Sequence, residues 1–141
     1  ESVQYECDLH AAVKHRFPTD RVHFPGRRSD VAALMRQANV LIHPARQEPL
    51  GRVLLESAAS GLPILTTDVG GSREILAEHR KFLFDPQRFA DCRPLLEQLL
   101  DDVDYAAEVA YSLRSMAERR FDSVDSGRNL ANVIEATLSQ T

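Results

Sequence analysis

The chain has 141 residues, 43% of them hydrophobic and 27% charged, with a formal net charge of −4. This length suffices for one hydrophobic core and is short for two ordinary domains, so we expect a single domain. No apolar run approaches the ~20 residues of a membrane span, which argues against a membrane-spanning function for this chain. We also expect no nucleic-acid partner. Because the chain opens at Glu1 with a helical pattern and no Met, we expect it to be a piece of a longer polypeptide.

Helical and extended segments alternate along the chain. Apolar residues at helical spacing predict helices over residues 2–17, 31–35, 51–60, 72–77, 89–101, 104–120 and 123–139. Short runs of Val, Ile, Leu and Phe predict strands over residues 21–26, 39–43, 62–66 and 81–84. The helix over 51–60 is predicted to pack on the core through Leu54, Leu55, Ala58 and Ala59.

This alternation indicates an α/β fold, a Rossmann-like parallel sheet with helices on both faces. Ligands of such sheets bind at the carboxyl ends of the strands. Here these ends are the loops over residues 25–30, 43–51, 67–72 and 85–88. Topology alone therefore brings to one edge Arg27, Arg28, Glu48, Gly51, Gly70 and Gly71.

Two acids eight positions apart, Glu48 and Glu56, are the most informative feature of the centre of the chain. The first lies in a loop that contains proline, and the second lies in an apolar helix, an arrangement that can hold two separate sets of hydroxyls. Between them Gly51 lets the backbone approach a ligand, and the unpaired amides that open the helix attract phosphate. We therefore interpret this region as a site for a sugar joined to a phosphate.

The region around these acids resembles the carboxyl-terminal domain of the family 4 retaining glycosyltransferases, which have the two-domain GT-B architecture. The resemblance consists of a strand ending at Pro44, the E-x7-E element from Glu48 to Glu56, the turn over 59–63, and the segment 67–71 followed by Glu74 and Ile75. Residues 22–26 and 120–122 match more weakly. The resemblance implies that residues 1–141 form one partial domain, the truncated carboxyl-terminal half of a GT-B fold, with carboxyl-terminal helices over 104–139.

In this family the domain holds a nucleotide-sugar donor, and the resemblance implies roles for individual residues. Glu48 is the candidate catalytic residue, contacting the transferred sugar, and Glu56 would bind the ribose. The amides of Leu50 and Gly51 would receive the diphosphate, although the family usually has Phe where this chain has Leu50. The remaining candidate donor-binding residues are Gly26, Arg27 and Arg28 near the base, together with Arg52, Gly70 and Gly71.

Each of these residues also has a plain structural interpretation. Glu56 could form a surface ion pair with Arg52 four residues earlier, and Glu48 could be a solvated loop acid. Gly70 and Gly71 could form an ordinary turn. His43 is expected to pack against the sheet at the end of its strand. The histidines form no metal-ligand set, so we expect no metal site.

The resulting hypothesis is a hexosyltransferase fragment that moves a hexose from a nucleoside-diphosphate sugar to an acceptor hydroxyl with retained configuration. The family's first strand, helix and second strand are absent, as is its acceptor-binding domain, so we expect the fragment alone to be inactive. Its partners would be the donor and the amino-terminal acceptor-binding domain of the same polypeptide, without a further cofactor. We expect a cytoplasmic location, at the inner membrane surface through the missing domain. The alternatives are an epimerase-like GT-B domain and a non-catalytic scaffold module.

Overall fold

The computed structural model describes residues 2–17 and 21–138 of the chain. Its helices are α1 Ser2–Arg16, α2 Val31–Met35, α3 Arg52–Ala59, α4 Gly71–Ile75, α5 Arg93–Asp101, α6 Val103–Arg120 and α7 Ser123–Leu138. Its strands are β1 Leu41–His43, β2 Ile64–Thr67 and β3 Leu83–Phe84. Short 3-10 turns over Arg80–Phe82 and Phe89–Cys92 precede β3 and α5.

The three strands form one parallel sheet in the order β1-β2-β3. Leu41 lies opposite Ile64, and Thr66 lies opposite Leu83. All four residues of the central strand β2 are buried, and successive side chains of a strand point to opposite faces, so both faces of the sheet are covered. This confirms the predicted α/β fold with a buried parallel sheet.

The core lies where α3, α5 and α6 pack with the sheet and with α4. Leu54 and Ala58 of α3 are fully buried at i, i+4 spacing, as predicted, and Leu55 is partly buried. Ala59 is exposed, so its predicted place in the core is wrong. At the helical period, Ser57 rather than Ala59 completes the buried face of α3. The hydroxyl of Ser57 donates to the carbonyl of Leu62 at 3.2 Å.

The predicted strand over residues 21–26 does not form. A strand requires a neighbour to share its backbone hydrogen bonds, and among the described residues this segment has none in the sheet. The strand predicted over 81–84 and the helix predicted over 89–101 were too long, because a 3-10 turn occupies the start of each segment. The other predicted helices agree with the structure to within about two residues, and residue 139, the predicted end of the last helix, lies outside the described residues.

The first and last helices contribute little to this core. α7 has no buried residue, and its apolar side chains Leu130, Val133, Ile134 and Leu138 are all exposed. In α1, Tyr5 and Leu9 are exposed as well. Across residues 2–17 and 21–138, no helix combines the length and apolar character needed to cross a membrane.

Candidate functional site

The loop that follows β1 is fixed to the neighbouring strand by two buried threonines. Thr66 donates its hydroxyl to the carbonyl of His43 at 3.0 Å, and Thr67 donates to the carbonyl of Ala45 at 2.5 Å. These threonines sit in β2 where the sheet places their hydroxyls against the end of β1. The first part of the loop is therefore held by the core itself.

The second part of the loop is held by Gly70 and Gly71. The amide of Gly71 donates to the carbonyl of Glu48 at 2.7 Å. A Cβ atom at Gly70 would lie 2.2 Å from that same carbonyl oxygen, and φ at Gly70 is +42°, so a side chain is excluded on both grounds. The structure thus gives the glycine pair a packing role, and its contact with a ligand stays a prediction.

Both oxygens of the Glu48 carboxylate are hydrogen-bonded inside the loop. Its Oε1 accepts from the amide of Gly51 at 2.6 Å and from that of Leu50 at 3.3 Å, while Oε2 lies 2.7 Å from Nε2 of His43. Its side chain is only 17% exposed, unlike the solvated loop acid that the sequence left open. The bonds from His43 and from the Gly51 amide hold the pKa of the Glu48 carboxyl below its ordinary value.

The contact between His43 and Glu48 was missed by the sequence analysis, which placed His43 against the sheet. Both residues belong to the loop over 43–51, and five positions separate them. The signal was a histidine at the carboxyl end of a buried strand, in the same loop as an acid. Whether such a loop folds back on itself depends on its tertiary anchors, which the sequence alone does not give.

Glu48 also caps the start of α3. The residue before the helix is Gly51, whose φ is +77° and which supplies no side-chain cap of its own. A Cβ atom there would lie 2.7 Å from Cδ1 of Ile75, so that side chain would have to shift, and the positive φ itself favours glycine. The two amides predicted to receive a diphosphate are therefore the two that bind the Glu48 carboxylate.

A cleft of about 660 Å³ lies between α2, α3 and α6. It contains three of the predicted residues, Arg28, Arg52 and Glu56. Arg36, directly after α2, and Arg114 of α6 bring the charged residues of the lining to four arginines and one acid. Sequence reasoning missed these two, because only the packing of α2 and α6 around α3 brings them beside Glu56. Such a lining favours an anionic ligand.

The charged side chains of this cleft are weakly held. Nε of Arg52 lies 2.9 Å from Oε1 of Glu56, the ion pair that the sequence had offered as an alternative, with the side chains 82% and 41% exposed. Arg28 pairs with Asp30, and Arg114 with Glu118, on the surface. Exposed pairs of this kind contribute little to stability, so a ligand can replace them at little cost.

The predicted site residues thus fall into two neighbouring groups. Glu48, Leu50, Gly51, Gly70 and Gly71 form the first group, at the start of α3. Arg28, Arg52 and Glu56 belong to the cleft, and neither Gly26 nor Arg27 lines it. The groups adjoin at consecutive residues, since Gly51 precedes Arg52. Within the described parts of the chain, no group of three or more His, Cys, Asp or Glu is placed to hold a metal ion.

Comparison with known proteins extends this description. Residues 3–116 match the model of the family described as glycosyl transferases group 1. The lipopolysaccharide glucosyltransferase WaaG of Escherichia coli strain K12 is 51% identical over 57 residues, which cover 40% of this chain and 15% of that protein. The match covers well under two thirds of that relative.

Two solved structures resemble the fold. The crystal structure of Anabaena Alr3699/HepE in complex with UDP-glucose superposes with a TM-score of 0.84 at 28% identity, covering 94% of this chain and 37% of that one. The sucrose-phosphate synthase of Thermosynechococcus elongatus superposes with a TM-score of 0.86 at 21% identity, covering 98% and 35% of the two chains, and supports the fold alone. The chain thus spans about a third of the structures that it matches.

Proposed function

We propose, from the premise that the chain belongs to the glycosyl transferases group 1 family, that it is the donor-binding domain of a retaining hexosyltransferase of the family 4 type. In this proposal a hexose passes from a nucleoside-diphosphate sugar to an acceptor hydroxyl. The HepE complex, with its UDP-glucose, supports a donor of this class.

The observation that carries the proposal is the junction of the two groups of site residues at Gly51 and Arg52. A nucleotide-sugar has a sugar at one end, a nucleoside at the other and a diphosphate between them. Glu48 lies on one side of the junction and Glu56 on the other, with the helix start between them. The order of these groups along the protein matches the order of groups along the donor.

Each residue then has a defined task. Glu48 accepts hydrogen bonds from hydroxyls of the transferred sugar. Glu56 releases Arg52 and accepts hydrogen bonds from the ribose hydroxyls. The amides of Leu50 and Gly51 bind the diphosphate with Arg52, while Gly26, Arg27 and Arg28 lie beside the base and Gly70 and Gly71 support the loop. Amides and cations fixed in advance around the diphosphate stabilise the charge that develops as the nucleotide leaves. The donor is a substrate, and the proposal includes no further cofactor or metal.

The proposal also includes an amino-terminal acceptor-binding domain in the same polypeptide. The chain spans 37% of the HepE chain. The exposed apolar side chains of α7 give such a domain a surface to cover. Without it the fragment would bind donor and transfer no sugar. A cytoplasmic location, at the inner membrane surface through that domain, belongs to the same proposal.

The direct test is sugar transfer by the full polypeptide that carries this chain, assayed with UDP-, ADP- and GDP-hexoses. The wild type should transfer hexose with retained anomeric configuration, and Glu48→Gln should lose most of this activity. Glu97→Gln is the matched control, because Glu97 is an exposed acid that pairs with Arg93 on α5. Absence of transfer by all three proteins would favour the scaffold alternative, and equal transfer by all three would contradict the role given to Glu48. An inverted product would contradict the retaining mechanism.

A further inference from the structure

The ring of His43 makes a contact for which the proposed function has no use. Its Nε2 lies 2.7 Å from Oε2 of Glu48, and both side chains are largely shielded, at 24% and 17% exposure. The backbone of His43 is also fixed, because its carbonyl accepts from the buried hydroxyl of Thr66. A polar ring held rigidly against a candidate catalytic carboxylate suggests a specific task.

We propose that His43 is a positioning residue that stays bonded to the Glu48 carboxylate while this carboxylate rotates toward the sugar. The rotation takes place when the diphosphate of a donor binds the amides of Leu50 and Gly51, which Glu48 then releases. This inference rests on the proposed function and adds a residue and a conformational step to it.

The two oxygens of the Glu48 carboxylate have different partners. Oε1 accepts from both amides, while Oε2 is bonded to His43. A ligand that takes the amides therefore displaces Oε1 and leaves the bond of Oε2 intact. The main chain of Glu48 does not need to move, because Gly71 holds its carbonyl at 2.7 Å.

In the proposed complex, two anions compete for the same amides. The amides at the start of α3 are the donors that a phosphate binds, and they cannot serve a carboxylate oxygen and a phosphate oxygen together. The negative charges of the diphosphate and the carboxylate repel each other, so the diphosphate drives Oε1 away from the amides. The released oxygen can then accept from a sugar hydroxyl in a charge-assisted hydrogen bond.

The charge of the Glu48 carboxyl decides the direction of its hydrogen bond with His43. The pKa of the Glu48 carboxyl lies below its ordinary value, so this group is ionised near neutral pH and can only accept. Nε2 of His43 therefore donates. A side chain without a donor at this position would let the displaced carboxylate move into solvent, where it would meet the sugar less often.

The test uses three variants of the full polypeptide. His43→Phe keeps an aromatic ring and removes the donor, His43→Leu repeats that removal in case the first variant unfolds, and His43→Gln restores an N–H donor. For each, kcat and KM are measured with the hexose donor that the wild type uses, and Kd is measured for the free nucleoside diphosphate. Melting temperatures confirm that each variant is folded.

Loss of the His43 donor should lower kcat by roughly 10-fold or more in His43→Phe and His43→Leu, the effect of one hydrogen bond to a charged group. Kd for the nucleoside diphosphate should stay within about 2-fold or tighten, because Glu48 then competes less well for the amides. His43→Gln should recover most of kcat. Glu48→Ala should bind the free diphosphate more tightly than wild type and transfer no sugar.

Other results would overturn the inference. If the donor-less variants lose diphosphate affinity and kcat in equal measure, or if His43→Gln fails to recover kcat, His43 is a structural residue and the proposed function stands without it. If the wild type binds no nucleoside diphosphate, the proposed function fails, and the inference that rests on it fails too. The unliganded contact has its own readout, since the amide resonance of Gly51 should follow the acid titration of Glu48 in wild type and lose this dependence in Glu48→Ala.

Discussion

The loop at the start of α3 and the arginine-lined cleft beside it hold their charged groups in opposite ways. At the loop, the Glu48 carboxylate is largely shielded and accepts from two amides and a histidine. In the cleft, Arg52 and Glu56 form an exposed pair within one helix. The loop depends on threonines and glycines from another strand and turn, whereas the pair depends on neighbours in its own helix.

This difference indicates that the two halves of the site bind ligand differently. The loop offers a backbone that is fixed in advance by its anchors, as suits a region that must position a carboxylate against a reacting sugar. The cleft offers mobile cations that can adapt to a nucleotide at little cost. Substitutions in the loop should therefore affect stability and catalysis together, and substitutions in the cleft should affect nucleotide affinity alone.

The largest expected effect is that of Gly70→Ala. The added Cβ would lie 2.2 Å from the carbonyl oxygen of Glu48, at a φ of +42° that side chains rarely adopt. We expect a loss of roughly 2–4 kcal/mol in the free energy of unfolding, measured by urea denaturation.

The matched control is Gly127→Ala. Gly127 lies in α7, and an added Cβ would meet nothing within 4 Å. This change should leave the free energy of unfolding unaltered or raise it by up to about 1 kcal/mol, because alanine favours a helix. A similar loss for both variants would show that the loop is no more rigid than α7.

The next effect separates the two acids by nucleotide affinity. Glu56→Gln should weaken binding of the free nucleoside diphosphate by about 1–3 kcal/mol, or roughly 5- to 150-fold, because a neutral amide replaces a charged acceptor of the ribose hydroxyls. Glu48→Gln should leave this affinity nearly intact and lower kcat/KM for the hexose donor. Equal losses for both acids in an isothermal titration with the free nucleotide would remove the distinction between loop and cleft.

The acid dependence of stability tests the loop alone. The pKa of the Glu48 carboxyl is lowered in the folded chain by His43 and by the Gly51 amide. The contribution of Glu48 to the free energy of unfolding should therefore be complete above the pKa that this carboxyl has in the unfolded chain. It should disappear as pH falls through the pKa of the carboxyl in the folded chain. Urea unfolding at several pH values should show wild type more stable than Glu48→Gln near neutrality, with the difference shrinking in acid. A difference that grows in acid would contradict the bonding described for Glu48.

The smallest effect belongs to Arg52→Gln. Its pair with Glu56 is exposed, so the free energy of unfolding should change by no more than about 0.5 kcal/mol. The nucleoside diphosphate should nevertheless bind several-fold more weakly, since one cation of the cleft is lost. A large loss of stability would show that the pair is structural.

The two regions also differ in how far the sequence predicted them. The helical spacing of apolar residues and the E-x7-E element predicted α3, with Gly51 at its start and one face of the helix buried. These features depend on residues that are close together in the chain. The Arg52–Glu56 pair was foreseen for the same reason.

Features that depend on distant residues were not predictable in this way. The strand expected over 21–26 fails for want of a partner in the described sheet. Arg114 reaches the cleft only because α6 packs on α3. The bond between His43 and Glu48 requires the loop to be anchored by Thr67 and Gly71, and neither anchor has a local signal.

Titration of the isotopically labelled chain with a nucleoside diphosphate, followed by amide resonances, tests the central claim most directly. The account predicts that the affected amides fall in residues 25–28, 48–52 and 68–72, with Gly51 among the most perturbed even if Kd is about millimolar. Perturbations confined to residues 89–141 would place the nucleotide elsewhere and contradict the account.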